Sequence, residues 1–193
     1  MAGNARYTAL LDACVLYSIA ITDSLMSLAT ARLFAAKWTT EIETEWITAL
    51  EGRRPDIRGK LGTRRDCMRE AIPDWEVPES AWRPLASCLT LPDIDDAHVL
   101  AAAIAGHADC IVTSNVRDFP ADIVGPYGIE IIDPDVFIIN QLDLSQFAAL
   151  AAFKRMRARL KKPESTPEEF AQSLERAGLP LTADRLREAA ELI

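Results

Sequence analysis

An α/β fold built on a parallel sheet is predicted by three features of the sequence. Short apolar runs recur, each leading into a polar residue; stretches with helical spacing fill the intervals between them; and the composition is that of a packed protein. The runs are residues 7–11 (YTALL, followed by Asp12), 109–113 (DCIVT) and 128–132 (GIEII). Their near-continuous apolar character suits strands covered on both faces, and strands alternating with helices imply parallel pairing in a sandwich. Of 193 residues, 49% are hydrophobic and 26% charged, which excludes an intrinsically disordered chain.

The elements follow in order. After the first strand, residues 16–36 have helical periodicity, with Leu25, Leu28, Leu33 and Phe34 as candidate core. Thr39 or Thr40 is an N-cap signal for a helix over 41–50, with Gly52 as its stop. Pro73, Pro78, Pro84 and Pro92 break the next segment into loops and short elements. Asp93 caps a helix over 94–106, and the strand at 109–113 follows. Beyond the strand at 128–132, Pro134 opens a short helix over 134–141. Residues 145–160 read as one helix, and 166–177 and 182–192 as a helical pair. Those two are too short to persist alone, so Phe170, Leu174, Leu181, Leu186 and Ala190 need a surface to cover. The expected division is a first domain over 1–143 and a helical extension over 144–193.

Several function classes are disfavoured at once. A net charge of −8 argues against non-specific coating of nucleic acid. The longest uncharged runs, 13–22 and 97–108, fall short of the ~20 residues that span a bilayer. Asp12 arrives before a signal-peptide core can form, so a soluble cytoplasmic protein is expected. Cys14, Cys67, Cys88 and Cys110 form no CxxC pair and are read as buried reduced thiols; with His98 and His107 they make no zinc quartet.

The chemistry lies in carboxylates. In an open parallel sheet, ligands gather at the carboxyl ends of strands, where Asp12, Thr113 and Asn115 fall. Alone, Asp12 reads as a turn residue; an aspartyl-phosphate enzyme would want a second Asp where Cys14 stands, which disfavours a phosphatase. Glu41 and Glu43 read as solvated, whereas Glu45 borders the apolar stripe of Ile42, Trp46 and Ala49. A carboxylate there is costly unless paired or bound to a cation. Asp93 and Asp96 resemble a capping box, yet Asp96 also aligns with Val99, Leu100 and Ala103 at the top of a buried stripe. Asp95 points outward. Asp118 follows three residues after Asn115. Asp12, Glu45, Asp96 and Asn115 thus come from four places that a parallel sheet brings to one rim, and hard oxygen donors without Cys or His suit Mg²⁺ or Mn²⁺.

LLDACVL, TTEIETEW and LPDIDDAHVLAAAIAGHADCIVTSNVRDFP together resemble the PIN-domain family, over about residues 8–134, and within it the VapC-like toxins of bacterial toxin–antitoxin pairs. The resemblance implies a PIN-like α/β/α sandwich with a central parallel sheet, here followed by the helical extension. It also implies a Mg²⁺- or Mn²⁺-dependent endoribonuclease, with an RNA substrate and a cognate antitoxin as partners. No membrane is implied, and a homodimer is left open. By position, Asp12, Glu45 and Asp96 match the family's acids and its metal ligands. Asn115 stands where a fourth acid is common, with Thr113 and Asp118 supporting. The usual D-T-N of the first motif is Asp12-Ala13-Cys14 here, which leaves a weakened module that binds RNA or protein without turnover as the alternative. Arg53, Arg54, Arg58, Arg64 and Arg65, in a basic segment running to Arg69, are candidate phosphate contacts, the alternative being a solvated face. A second basic segment, 154–162, is the other candidate.

Overall fold

The computed structural model describes residues 6–161 and 164–193; Lys162 and Pro163, in the second basic segment and the break after it, lie outside the described residues. In chain order the elements are β1 (Thr8–Leu11), α1 (Ala13–Tyr17), α2 (Ile19–Thr30), β2 (Ala35–Lys37), α3 (Thr40–Arg53), α4 (Gly62–Ala71) and α5 (Glu79–Ala86). Then come α6 (Ala97–Ala105), β3 (Cys110–Val112), α7 (Ala121–Val124), β4 (Glu130–Ile132), α8 (Pro134–Leu144), α9 (Gln146–Ala158), α10 (Pro167–Arg176) and α11 (Pro180–Glu188). Two compact units result, one from Met1–Tyr17 and Phe34–Asp133, the other from Ser18–Leu33 and Pro134–Ile193. No helix among the described residues is long and apolar enough to cross a membrane.

The first unit is the parallel α/β sheet that the strand pattern predicts. Its order is β2-β1-β3-β4, with every pairing parallel. Ala9, Leu10 and Leu11 of the inner strand β1 and all of β3 are fully buried, which is why these runs carry no polar alternation. Leu11 pairs with Val112, so the residues after them, Asp12 and Thr113, leave neighbouring strands side by side.

Strand β2 is a correction. The helix expected over 16–36 breaks after Tyr17, resumes under a Ser18 cap and ends at Thr30, and Ala35 and Ala36 pair with Thr8 and Ala9. Alanine favours a helix intrinsically, and the sheet overrides that preference. The helix α3 starts as expected, with the Thr39 hydroxyl accepting the Ile42 N–H, but passes through Gly52 and stops only before Pro55. The expected capping box at Asp93 is instead a 3₁₀ turn over Ile94–Asp96, in which the Asp93 side chain accepts the Asp95 N–H. Of the thiols, Cys110 alone is buried; Cys14 is half-buried, and Cys67 and Cys88 are exposed.

The second unit supplies the surface that its short helices need. Phe170, Ala171 and Leu174 of α10 are buried, as are Leu179 and, on α11, Ala183 and Leu186. Phe170 lies against Phe153 of α9, with ring centroids 6.4 Å apart. Buried Asp135 on α8 accepts the Leu181 and Thr182 N–H groups at 2.7 and 2.9 Å and the Thr182 hydroxyl at 2.6 Å. It therefore caps α11 from another helix, satisfying donors that Pro180 opens but cannot cap. The Leu181 side chain is exposed rather than covering a surface.

Candidate functional site

The first unit brings Asp12 and Thr113 together at the carboxyl edge of the sheet. The Asp12 backbone N–H extends the ladder to the Val112 carbonyl at 3.2 Å, and its carbonyl accepts the N–H groups of Val15 and Leu16, opening α1. Its side chain is buried, with Oδ2 accepting the Thr113 hydroxyl at 2.6 Å and the Cys14 thiol at 3.0 Å. Oδ1 accepts the Ala13 N–H at 2.6 Å. Burial and the Asp12 carboxylate push the Cys14 thiol up to about 11, which keeps it a protonated donor at neutral pH.

Asp96, half-buried at the start of α6, belongs to the same rim. Burial and the carboxylates of Asp12, Asp118 and Asp93 raise its carboxyl from the ordinary range to about 6, with His98 pulling the other way. The repulsion places Asp12 and Asp118 each within electrostatic reach of Asp96. The stripe below Asp96 is as expected: Val99, Leu100 and Ala103 are buried.

Glu45 lies on the buried border of α3 beside Ile42 and Trp46, although Ala49 is exposed. Its Oε1 stands 2.7 Å from His98 Nε2. Burial alone would lower the His98 pKa, but the Glu45 carboxylate, helped by Glu41 and Asp12, turns the net shift upward. His98, two residues after Asp96 in the first turn of α6, thereby ties Glu45 to the Asp96 helix. Asn115 is exposed beyond β3, and its backbone N–H is held by the Thr113 hydroxyl at 2.9 Å.

Among the described residues, no three His, Cys, Asp or Glu side chains converge closely enough to grip an ion as they stand. The donor chemistry nevertheless fits a hard divalent cation. Asp12 is a hard oxygen donor fixed by three donated hydrogen bonds, and the Asp96 carboxyl, raised to about 6 by burial and then by neighbouring carboxylates, sits in a repulsion that a cation relieves.

Glu43, read as solvated, is 2% exposed. The Trp38 indole donates to it at 2.9 Å, and Arg69, stacked over Trp75, grips both its oxygens. The missed signal was the pairing of one acid of α3 with a basic residue 26 positions on, which no local period reveals.

The basic segment divides in two. Arg64 donates to the Leu16 carbonyl at 2.6 Å and stacks over Trp46, so its guanidinium is committed to the end of α1. Arg69 is committed to Glu43. Arg54 and Arg65 are in exposed pairs with Asp56 and Asp66, which phosphates readily displace. Arg53 and Arg58 are exposed and make no ion pair among the described residues. In the second basic segment, Arg157 holds the carbonyls of Ser165 and Ile193, Arg159 pairs with Asp23, and Lys154 reaches the Leu192 carbonyl.

The chain belongs to the PIN-domain family: the model described as PIN domain matches residues 8–117, over half of its length. Residues 134–188 match the model described as the VapC50 C-terminal domain, within the second unit. A curated relative named "Putative ribonuclease VapC50", from Mycobacterium tuberculosis, is 40% identical over 79 residues, 41% of this chain and 47% of its own. The match thus spans about half the length of that relative. No solved structure matches the chain significantly.

Proposed function

We propose that the protein is an endoribonuclease dependent on Mg²⁺ or Mn²⁺, acting in the cytoplasm as the toxin of a toxin–antitoxin pair. The observation that carries this reading is buried Asp12 at the carboxyl edge of the sheet, close enough to Asp96 that its charge, with those of Asp118 and Asp93, adds to burial in raising the Asp96 carboxyl to about 6. Family membership and the name of the Mycobacterium tuberculosis relative point the same way. A Mg²⁺ or Mn²⁺ ion, when bound, supplies Lewis acidity to water and to the developing charge on a phosphodiester. Asp12, Asp96 and Glu45 are the residues that would hold it. Thr113 fixes Asp12, while Asn115 and Asp118 line the exposed side, where the Asn115 amide can orient a phosphate oxygen. Arg53, Arg54, Arg58 and Arg65 would carry the RNA backbone by charge. The cognate antitoxin is the expected protein partner, and a second copy of the chain is the other.

A second reading has its own support. Asn115 brings no charge to the rim, and the Ala13-Cys14 pair replaces polar residues, so a PIN module that binds RNA or a protein partner without turnover is the rival. Purified protein freed of metal and then supplied with Mg²⁺ or Mn²⁺ separates the two. Cleavage of RNA that starts with the ion and stops with chelator supports the nuclease; RNA binding without cleavage under every metal condition supports the rival.

A further inference from the structure

Cys14 is the residue at the rim to which the proposed function gives no role. Its sulfur joins the loops that leave two neighbouring strands. The thiol donates to Asp12 Oδ2 at 3.0 Å on the β1 side, and Sγ accepts the Ser114 N–H at 3.2 Å on the β3 side. Thr113 runs parallel to it, donating to the same Oδ2 and accepting the Asn115 N–H. The Cys14 and Thr113 heteroatoms are 3.3 Å apart, but each proton is already directed to Oδ2.

The lone pairs can then be counted. A carboxylate oxygen has two acceptor sites. Oδ2 fills both, one with the hydroxyl and one with the thiol. Oδ1 fills one with the Ala13 N–H and keeps one open among the described residues.

We propose that Cys14 is a positioning residue that, with Thr113, saturates Asp12 Oδ2 and so leaves Oδ1 alone to face a divalent cation. The proposal rests on the reading of Asp12 as part of a cation site. The thiol replaces the polar group usual at this point of the motif and performs an orienting task with a neutral donor, adding no charge to a rim already crowded with carboxylates.

The test uses the full chain, with Mn²⁺ alone as the probe of binding by calorimetry and RNA cleavage as a second readout. Cys14→Ser keeps a donor and an acceptor and should bind Mn²⁺ within about threefold of wild type. Cys14→Ala removes both and should weaken Mn²⁺ binding roughly tenfold or more, as loss of groups orienting a ligand does. The cleavage kcat should fall with it, the KM for RNA should hold, and the melting temperature of the metal-free protein should change little. Because two donors share one oxygen, the Cys14→Ala, Thr113→Val double variant should lose more affinity than the product of the two single losses.

Equal Mn²⁺ affinity in Cys14→Ala and wild type overturns the proposal while leaving the nuclease reading intact. So does a Cys14→Ser variant as weak as Cys14→Ala. If Cys14→Ala fails to fold, Cys14→Val, which also lacks the donor, is compared with Cys14→Ser: a loss of Mn²⁺ affinity in Cys14→Val alone upholds the proposal, and equal affinity in the two overturns it. Wild-type protein that binds no Mn²⁺ and cleaves no RNA overturns both readings together.

Discussion

Arg69 on α4 closes over Glu43 on α3 with a two-pronged ion pair, buried on the Glu43 side and stacked on Trp75. Breaking such a pair from one side leaves an uncompensated charge, which costs about 3–5 kcal/mol when fully buried. Arg69 is 35% exposed, so water softens that cost. Glu43→Ala and Arg69→Ala should each lower stability by about 2–3 kcal/mol in urea unfolding. The double variant should lose clearly less than the sum, and additive losses would show that the two groups act independently.

That pair marks the limit of what the sequence discloses. The periodicity of 41–50 located α3 and its Thr39 cap, because both depend on local spacing. It also put Glu45 on the buried border. It could not pair Glu43 with Arg69, since that contact depends on how the loop before α4 returns. The same holds for β2, where two alanines become a strand because Thr8 and Ala9 need a partner. Asp12, Thr113 and Asn115 were legible as strand ends, and the parallel register sets Asp12 beside Thr113. The link through Cys14 was not, because a thiol in place of an amide reads from sequence as a loss.

Arg64 separates structural from surface charge. Arg64→Ala should lower the melting temperature, since the carbonyls of Leu16 and Tyr17 lose their donor. It should leave the salt slope of RNA binding unchanged. Neutralising Arg53 and Arg58 together should do the reverse, reducing that slope by roughly one unit per lost phosphate contact. Fluorescence anisotropy at several salt concentrations distinguishes the two, and equal slopes in all variants would return the segment to a solvated face.

Asp135→Ala should loosen the second unit. Two backbone N–H groups and the Thr182 hydroxyl lose their acceptor in a buried setting, at about 2–3 kcal/mol in total. Hydrogen exchange should rise in α11 first. Unchanged protection there would mean that its packing against α8, not the cap, holds the helix.

The pH dependence of the metal-free protein follows from Asp96. Its carboxyl titrates near 3.8 when unfolded and about 6 when folded, so the native state binds the proton more tightly. Below 3.8 both states are protonated and the group contributes nothing. As pH rises through that window, the native state accumulates the penalty of the charged form, and stability falls. Asp96→Asn should remove this decline, so the variant gains on wild type as pH rises to 6 and keeps the gain above it. A constant difference across the window, measured by urea unfolding without metal, would contradict the crowding of acids.

Single-turnover RNA cleavage at saturating Mn²⁺ separates carboxylates that serve cleavage from carboxylates that only crowd the rim. Asp12→Asn and Asp96→Asn should each lose most of the wild-type rate. Without metal, Asp96→Asn should melt no lower than wild type, because it relieves repulsion, whereas Asp12→Asn gives up an acceptor of buried hydrogen bonds and should melt lower. Either variant cleaving at the wild-type rate would contradict the assignment of these carboxylates to the reaction.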